Sequence, residues 1–159
     1  MEPLGVVAFS FGLRRPQEEP NPCNARLARA VQRVIDGAAA PVVLVSQWEV
    51  ALSLPSSLTT HVVEPRADGG YLDTDRVWDE AVPVLRRAGV QRVVAVAQPL
   101  LHRSKAHRLI SRDGFTPVRA RLGPIGFDSS HRNTQWWTRG PLRLLLYAVL
   151  QAVIGRAGR

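Results

Sequence analysis

The chain has 159 residues, of which 45% are hydrophobic, and carries a formal net charge of +8. This length suits one domain with a sizeable core, and the composition is typical of a folded globular protein, which excludes a disordered chain. No apolar run reaches the roughly 18 residues of a membrane span, and no signal peptide is visible at the N-terminus, so we expect a cytoplasmic protein.

Strand and helix signals alternate along the first half of the chain. Short apolar runs predict buried strands over residues 4–9, 41–46 and 60–64, and a short helix is expected over residues 47–53. Asn21 and Pro22 form a helix start, with Asn as the cap and Pro in the first turn, and Gly37 ends that helix. Its apolar residues recur at the spacing of one helical face: Leu27, Ala30, Val31, Val34 and Ile35.

The second half continues the alternation. Asp73 or Thr74 caps a helix that Gly89 closes, and its apolar face consists of Trp78, Ala81, Val82 and Leu85. Residues 91–97 predict a buried strand, and a helix begins near His102 and ends at Gly114, where glycine commonly takes the left-handed conformation. A fifth strand is expected over residues 115–121. Residues 123–140 look irregular and aromatic, and a last helix is expected from Pro141 to about Ile154.

This alternation predicts a single three-layer α/β domain with a mainly parallel sheet of about five strands. In such sheets, ligands bind outside the carboxyl ends of the strands, where the strand order reverses. The residues at these ends are therefore candidate ligand contacts: Ser10, Phe11, Gly12, Ser46, Gln47, Glu64, Gln98 and His102.

Positive side chains at two helix beginnings are a second signal. Arg26 lies in the first turn of its helix, and His102, Arg103 and Lys105 lie in the first turn of another. Cations there oppose the helix dipole unless an anion sits between them and the backbone amides. We therefore expect Arg26 and Lys105 to contact an anionic ligand, with a solvated side chain as the alternative. His102 is the candidate catalytic residue, as a hydrogen-bond donor or as an acid or base.

Other features leave two interpretations open. Glu64 is a candidate for binding a ribose-like hydroxyl pair or for a salt bridge to Arg66 or another arginine. Trp136 and Trp137 either flank a planar ligand or fill a gap under the loop, and packing is favoured. The sequence contains no GxGxxG, GxxxxGK[ST] or GxSxG motif, and no CxxC or HExxH that would indicate a metal site.

The positive charge is concentrated in the last third of the chain. Residues 100–159 contain 11 Arg or Lys and only two acidic residues, Asp113 and Asp128, whereas residues 1–99 have a net charge of −1. Such asymmetry indicates nucleic acid, an acidic membrane surface or an anionic small ligand as partner. No nucleic-acid-binding motif accompanies the charge, so nucleic acid is the weakest of the three.

Several short motifs follow the same order as the elements. They are Arg26-Leu27-Ala28-Arg29-Ala30 in the first helix, Ser46 after the second strand, Glu64 and Asp73-Thr74 after the third, and His102-Arg103-Ser104-Lys105-Ala106 after the fourth. In this order they resemble the bacterial domain family of unknown function typified by SanA, ElyC and YdcF. The chain departs from that pattern where Gln47-Trp48 replace two glycines, Val77 replaces an Asn and Lys105 replaces an Arg.

The resemblance implies a Rossmann-like fold and adds Thr74 to the candidate ligand contacts. Some members of that family are anchored in the membrane and linked to envelope or peptidoglycan metabolism. Others are soluble and bind S-adenosylmethionine, which makes this molecule a candidate cofactor here.

The last helix is apolar over most of its circumference. Six residues form one stripe, and Leu144, Tyr147 and Ile154 lie outside it; the six are Leu142, Leu145, Leu146, Val149, Leu150 and Val153. Such a helix is expected to be buried on two sides. We predict that one side packs on the domain core and the other forms a homodimer. Peripheral contact with an acidic membrane surface, favoured by arginines near the helix ends, is the alternative.

Three functions are consistent with these signals. The first is binding of an anionic or nucleotide-like small ligand, such as S-adenosylmethionine, at the strand ends. The second is an enzyme, a transferase or hydrolase acting on phosphorylated envelope precursors, with His102 as acid or base. The third is a non-catalytic adaptor that meets a partner or membrane through its basic C-terminal third.

Overall fold

A computed structural model describes residues 1–14, 21–65, 67, 72–100 and 102–157, with side chains up to residue 153. In these residues five strands alternate with five helices. The strands are β1 Leu4–Ala8, β2 Val42–Gln47, β3 His61–Val63, β4 Arg92–Val96 and β5 Thr116–Val118. The helices are α1 Pro22–Asp36, α2 Trp48–Ala51, α3 Thr74–Arg87, α4 His102–Arg112 and α5 Pro141–Ala157. Among the described helices, none is long and apolar enough to cross a membrane.

The five strands form one parallel sheet in the order β3-β2-β1-β4-β5. The central strand β1 pairs with β2 on one side and with β4 on the other, so that Leu4 lies between Val42 and Arg92. The chain builds outward from β1 to β3 and then returns to the other side of β1. The strand order therefore reverses between β1 and β4. This arrangement confirms the predicted α/β fold with its Rossmann-like three-layer architecture.

Two hydrophobic clusters, one on each face of the sheet, form the core. On one face Val7 and Phe9 pack against Trp78 and Leu85 of α3 and Ile110 of α4. The other face carries a second set of fully buried side chains, which includes Val6, Ala8, Leu27 and Val31 of β1 and α1 together with Ile125. Because neighbouring residues of β1 point to opposite faces, one apolar run supplies both clusters.

Local capping explains where the helices begin. The Asn21 side chain accepts a hydrogen bond from the Cys23 amide at 2.7 Å, and Pro22 follows in the first turn of α1. Asp73 caps α3 by accepting from the Arg76 amide at 2.8 Å. Gly114 takes the predicted left-handed conformation with φ of 84° after α4. Gly37 ends α1 without adopting the left-handed conformation, since its φ is −88°.

The region after α4 differs from the sequence-based expectation in two ways. The fifth strand was expected over residues 115–121, but only Thr116–Val118 pairs with the edge of β4. The irregular segment 123–140 contains a 3₁₀ turn at Trp136–Thr138. Its order comes from polar contacts that the sequence pattern does not reveal. The Arg14 guanidinium donates to both carboxylate oxygens of Asp128, at 2.8 and 2.9 Å. This ion pair holds the irregular segment against the loop that follows β1.

Candidate functional site

A cavity of about 400 Å³ lies at the carboxyl edge of the sheet. Ser10 and Phe11, which follow β1, and His102 at the start of α4 border it. The start of α3, the 3₁₀ turn at Trp136–Thr138 and α5 complete its walls. The cavity therefore lies at the point where the strand order reverses between β1 and β4, which is the position expected for a ligand site in such a sheet.

The cavity brings five of the eleven predicted site residues together. Ser10, Phe11, Thr74, His102 and Lys105 all line it, although they come from three separate parts of the chain. The carboxyl end of β1 supplies the first two, the start of α3 the third, and the first turn of α4 the last two. Their ligand-binding role stays a prediction, but their common position follows from the sheet topology.

The other six predicted residues lie outside the cavity lining, and those at the strand ends organise the loops around it. Gln47 is buried, and its side-chain oxygen accepts the Ser10 amide at 3.0 Å. Gln98 accepts the Leu100 amide at 2.9 Å and shapes the turn before α4. Ser46 is fully buried and donates to the Gln47 carbonyl. Glu64 is exposed after β3, and its alternative partner Arg66 lies outside the described residues.

Gly12 serves the backbone rather than the cavity. It has φ of 87°, and an added Cβ would lie 2.7 Å from Nδ2 of Asn21 and 2.9 Å from Oγ1 of Thr138. Its carbonyl oxygen accepts a hydrogen bond from the Asn24 side chain at 3.0 Å. The glycine therefore allows the loop after β1 to pass close to α1 and to the 3₁₀ turn.

Arg26 has a protein partner instead of a place in the cavity. Its Nη1 donates to the Ile125 carbonyl at 2.9 Å, and Arg33, two turns further along α1, donates to the Leu122 carbonyl. These side chains hold the segment after β5 against α1. A cation at the beginning of α1 is thus accommodated by a backbone acceptor, which the argument from the helix dipole did not consider.

Lys105 lines the cavity and forms an ion pair with Asp75 of α3. The two side chains are 40% and 44% exposed, so water screens the pair. Exposed ion pairs of this kind contribute only about 0–1 kcal/mol. Arg108, one turn later on α4, is exposed and also lines the cavity. Together the two cations are available to an anion at modest energetic cost.

His102 is half-buried between Thr74 and the aromatic ring of Phe9. Its Nε2 lies 2.9 Å from the Thr74 hydroxyl, and the ring centroids of His102 and Phe9 are 5.5 Å apart. Burial, assisted by the positive charge of Lys105, lowers the pKa of His102 to about 4. The imidazole is therefore neutral at pH 7, where it holds a hydrogen bond and has almost no proton to give as an acid.

Glu49 does not line the cavity, but it is a buried carboxyl next to the cavity residue Ser10 that the sequence analysis missed. It follows β2, is 7% exposed, and its Oε2 has no hydrogen-bond partner among the described residues. Burial raises the pKa of its carboxyl to about 7. Its own backbone amide and the side chains of Ser10 and Gln47 offset part of that rise. A carboxyl that changes charge near neutral pH thus lies directly behind the cavity residue Ser10.

Aromatic and aliphatic side chains form the other wall. Trp137 stacks on Tyr147 of α5, with ring centroids 4.8 Å apart and an interplanar angle of 15°. Both rings line the cavity together with Leu144 and Ala148. Trp137 therefore packs against the protein, as favoured from the sequence, and also lines the cavity.

Several lining residues were not among the predicted site residues. Gln135 and Thr138 are buried in the irregular segment, where Oγ1 of Thr138 donates to the Gln135 carbonyl at 2.9 Å. Tyr147 and Gln151 belong to a helix whose most obvious feature is its leucines. The helical spacing could have indicated these two, since they lie opposite the apolar stripe. Within the described residues, no group of three or more His, Cys, Asp or Glu side chains is arranged to hold a metal ion.

No protein-family model matches this chain, and no curated protein matches it either. The resemblance to SanA, ElyC and YdcF therefore remains a prediction made from short motifs. Function has to be inferred from the cavity itself.

Proposed function

We propose that this protein binds a small ligand that joins an anionic group to a planar or apolar part, as a nucleotide does. The observation that carries the proposal is the coincidence of the cavity with the reversal of strand order between β1 and β4. Ligands of parallel α/β sheets bind at this position. The volume of about 400 Å³ falls in the range of small-molecule sites.

The anionic group is assigned to the first turns of α4. The dipole favours negative charge at the beginning of a helix, although the Arg103 amide in the first turn of α4 already donates to the Gln98 carbonyl at 3.1 Å. Lys105 and Arg108 add positive charge on the same side of the cavity. An incoming phosphate or carboxylate has to compete with Asp75 for Lys105, but that exposed ion pair is weak enough to be exchanged.

The planar or apolar part is assigned to the opposite wall. Trp137 and Tyr147 supply aromatic surface there, whereas Phe11 and Leu144 also line the cavity but are only 5% and 7% exposed. Aromatic rings favour offset-stacked or edge-to-face contact with another planar group. Neutral His102 and the Thr74 hydroxyl lie between the two walls and are suited to hydrogen bonding with polar groups of the ligand. S-adenosylmethionine belongs among the candidates through the family resemblance, and nucleotides through the chemistry of the cavity.

A thermal-shift panel tests the proposal. It compares ATP, AMP, S-adenosylmethionine and a sugar phosphate with adenosine alone and inorganic phosphate alone. A ligand present at about 100 times its Kd stabilises the native state by about 2.7 kcal/mol. For a chain of this size that corresponds to a rise in Tm of roughly 5–10 °C. We expect a compound with both parts to exceed either fragment, and the proposal is wrong if no compound of this type raises Tm.

Matched substitutions on α4 then locate the site. Arg108→Ala removes a cation that lines the cavity, whereas Arg103→Ala removes one from the same helix that does not line it. A charged hydrogen bond contributes about 1.5–3 kcal/mol, so Arg108→Ala should raise Kd about tenfold or more. Calorimetric titration should show an almost unchanged Kd for Arg103→Ala. Equal effects of both substitutions would mean that general charge attracts the ligand and would remove the assignment to this cavity.

A further inference from the structure

Helix α5 presents two opposite faces. One of them walls the cavity through Leu144, Tyr147, Ala148 and Gln151. The other face, which we call the outer stripe, points away from the domain. Its six aliphatic side chains are 43–80% exposed and are Leu142, Leu145, Leu146, Val149, Leu150 and Val153. The sequence predicted that this helix is buried on two sides. Within the chain it is buried on one side only.

The outer stripe is too continuous to be an incidental feature. Each member has another member three or four residues away, so the six form one strip along the helix. Seventeen residues at 1.5 Å per residue give α5 a length of about 25 Å. Contiguous exposed apolar surface of this kind marks an interaction site in soluble proteins. The question is which partner covers it.

The charge around the stripe favours one occupant over the other. After Asp128 the sequence contains five arginines and no acidic residue. If two copies paired through the same stripe about a two-fold axis, Arg143 beside one helix would face a partner segment that also has no carboxylate after Asp128 to balance it. Anionic lipid headgroups supply that balance, and acyl chains supply the apolar contact.

The position of Arg143 agrees with that choice. Arg143 is exposed at the edge of the stripe, in the first turn of α5. An arginine beside an apolar strip can cover part of it with its aliphatic stem while its guanidinium reaches lipid headgroups.

We propose that α5 is a docking helix that lies in the surface of an anionic lipid bilayer through its outer stripe. The cavity is on the opposite side of the same helix, so docking leaves Leu144 and Tyr147 in place as its wall. The outer stripe is a different surface from the ligand site, so a failure of one proposal would leave the other unaffected.

Vesicle flotation with the full chain tests the docking surface. One set of vesicles is phosphatidylcholine alone, and the other contains about one third phosphatidylglycerol. The wild-type protein is expected to float with the anionic vesicles and not with the neutral ones, and to be released as salt shortens the Debye length. Absence of binding to the anionic vesicles overturns the proposal.

Two matched leucines separate the outer stripe from general charge. Leu146 in the stripe is 53% exposed, and Leu52 at the end of α2 is 52% exposed. A Leu→Glu substitution therefore adds the same charge and removes a similar exposed apolar surface at either position. Leu146→Glu should weaken vesicle binding about tenfold or more, because it removes a large apolar contact, while Leu52→Glu should bind like the wild type. Equal weakening by both variants overturns the proposal.

Light scattering without vesicles tests the competing occupant. A wild-type dimer that Leu146→Glu converts to a monomer would show that a second copy covers the stripe, and would overturn the membrane proposal in favour of the predicted homodimer. A monomeric wild type that binds anionic vesicles supports it. Circular dichroism on both glutamate variants checks that they fold, and the comparison of the two vesicle types with wild-type protein does not depend on any variant.

Discussion

Replacing Glu49 by Gln should stabilise this protein, and more so at alkaline than at acidic pH. The carboxyl group is 7% exposed, its Oε2 has no hydrogen-bond partner among the described residues, and burial raises its pKa from 4.5 to about 7. A raised pKa means that the folded state prefers the protonated form, whereas the unfolded chain loses the proton near 4.5. Gln has nearly the same shape and carries no charge at any pH.

The size of the effect follows from the pKa difference. Below about pH 4.5 both states are protonated, so Glu49 causes no electrostatic penalty. The penalty grows as the pH rises from 4.5 and is complete above about pH 7. Since one pKa unit corresponds to about 1.4 kcal/mol, the full penalty is about 3 kcal/mol. The stability advantage of Glu49→Gln over wild type should therefore increase by about 3 kcal/mol between about pH 4.5 and pH 8.

Urea denaturation at both pH values measures this difference. Taking variant minus wild type at each pH cancels the titration of other groups, including His102, whose lowered pKa has the opposite effect. Glu64→Gln makes the same chemical change at an exposed position, and should alter the free energy of unfolding by less than about 0.5 kcal/mol. If Glu49→Gln has the same advantage at both pH values, or is destabilising at pH 8, the reasoning about the buried carboxyl is refuted.

Two further substitutions test the supports of the cavity. Gly12→Ala should lower the free energy of unfolding by more than about 1 kcal/mol in urea denaturation, because φ is 87° and the new Cβ would lie 2.7 Å from Asn21. The control is Gly140→Ala, where no atom lies within 4 Å of the added Cβ. An equal loss of stability at both positions would contradict the strain argument. Trp78→Ala should lower the free energy of unfolding by about 3–5 kcal/mol in the same measurement, since the ring is fully buried and its Nε1 donates to Asp113 at 2.7 Å. A loss below about 1 kcal/mol would mean that this ring does not hold α3 on the sheet as described.

The cavity shows where sequence reasoning about a site works and where it fails. Ser10 and His102 were identified because a parallel sheet gathers its strand ends at one edge, and both line the cavity. Arg26 was selected by the same argument about helix dipoles as Lys105, yet its guanidinium is occupied by the Ile125 carbonyl, 99 residues away. Glu49 was overlooked because its unusual environment depends on burial behind Ser10, and no residue type or spacing encodes that burial.

The local units of this protein can be read from its amino-acid sequence. Apolar runs, Asn21 and Asp73 as caps, and glycine at the ends of helices specify strands and helices because these signals act within a few residues. The crossing of the chain from β3 to the far side of β1, the contact of segment 123–140 with Arg14 through Asp128, and the return of α5 as a wall of the cavity emerge only in the folded molecule. They depend on contacts between residues far apart in the chain, 88 positions for Leu4 and Arg92 and 114 for Arg14 and Asp128, and the energies of these contacts arise only once the core has brought the residues together.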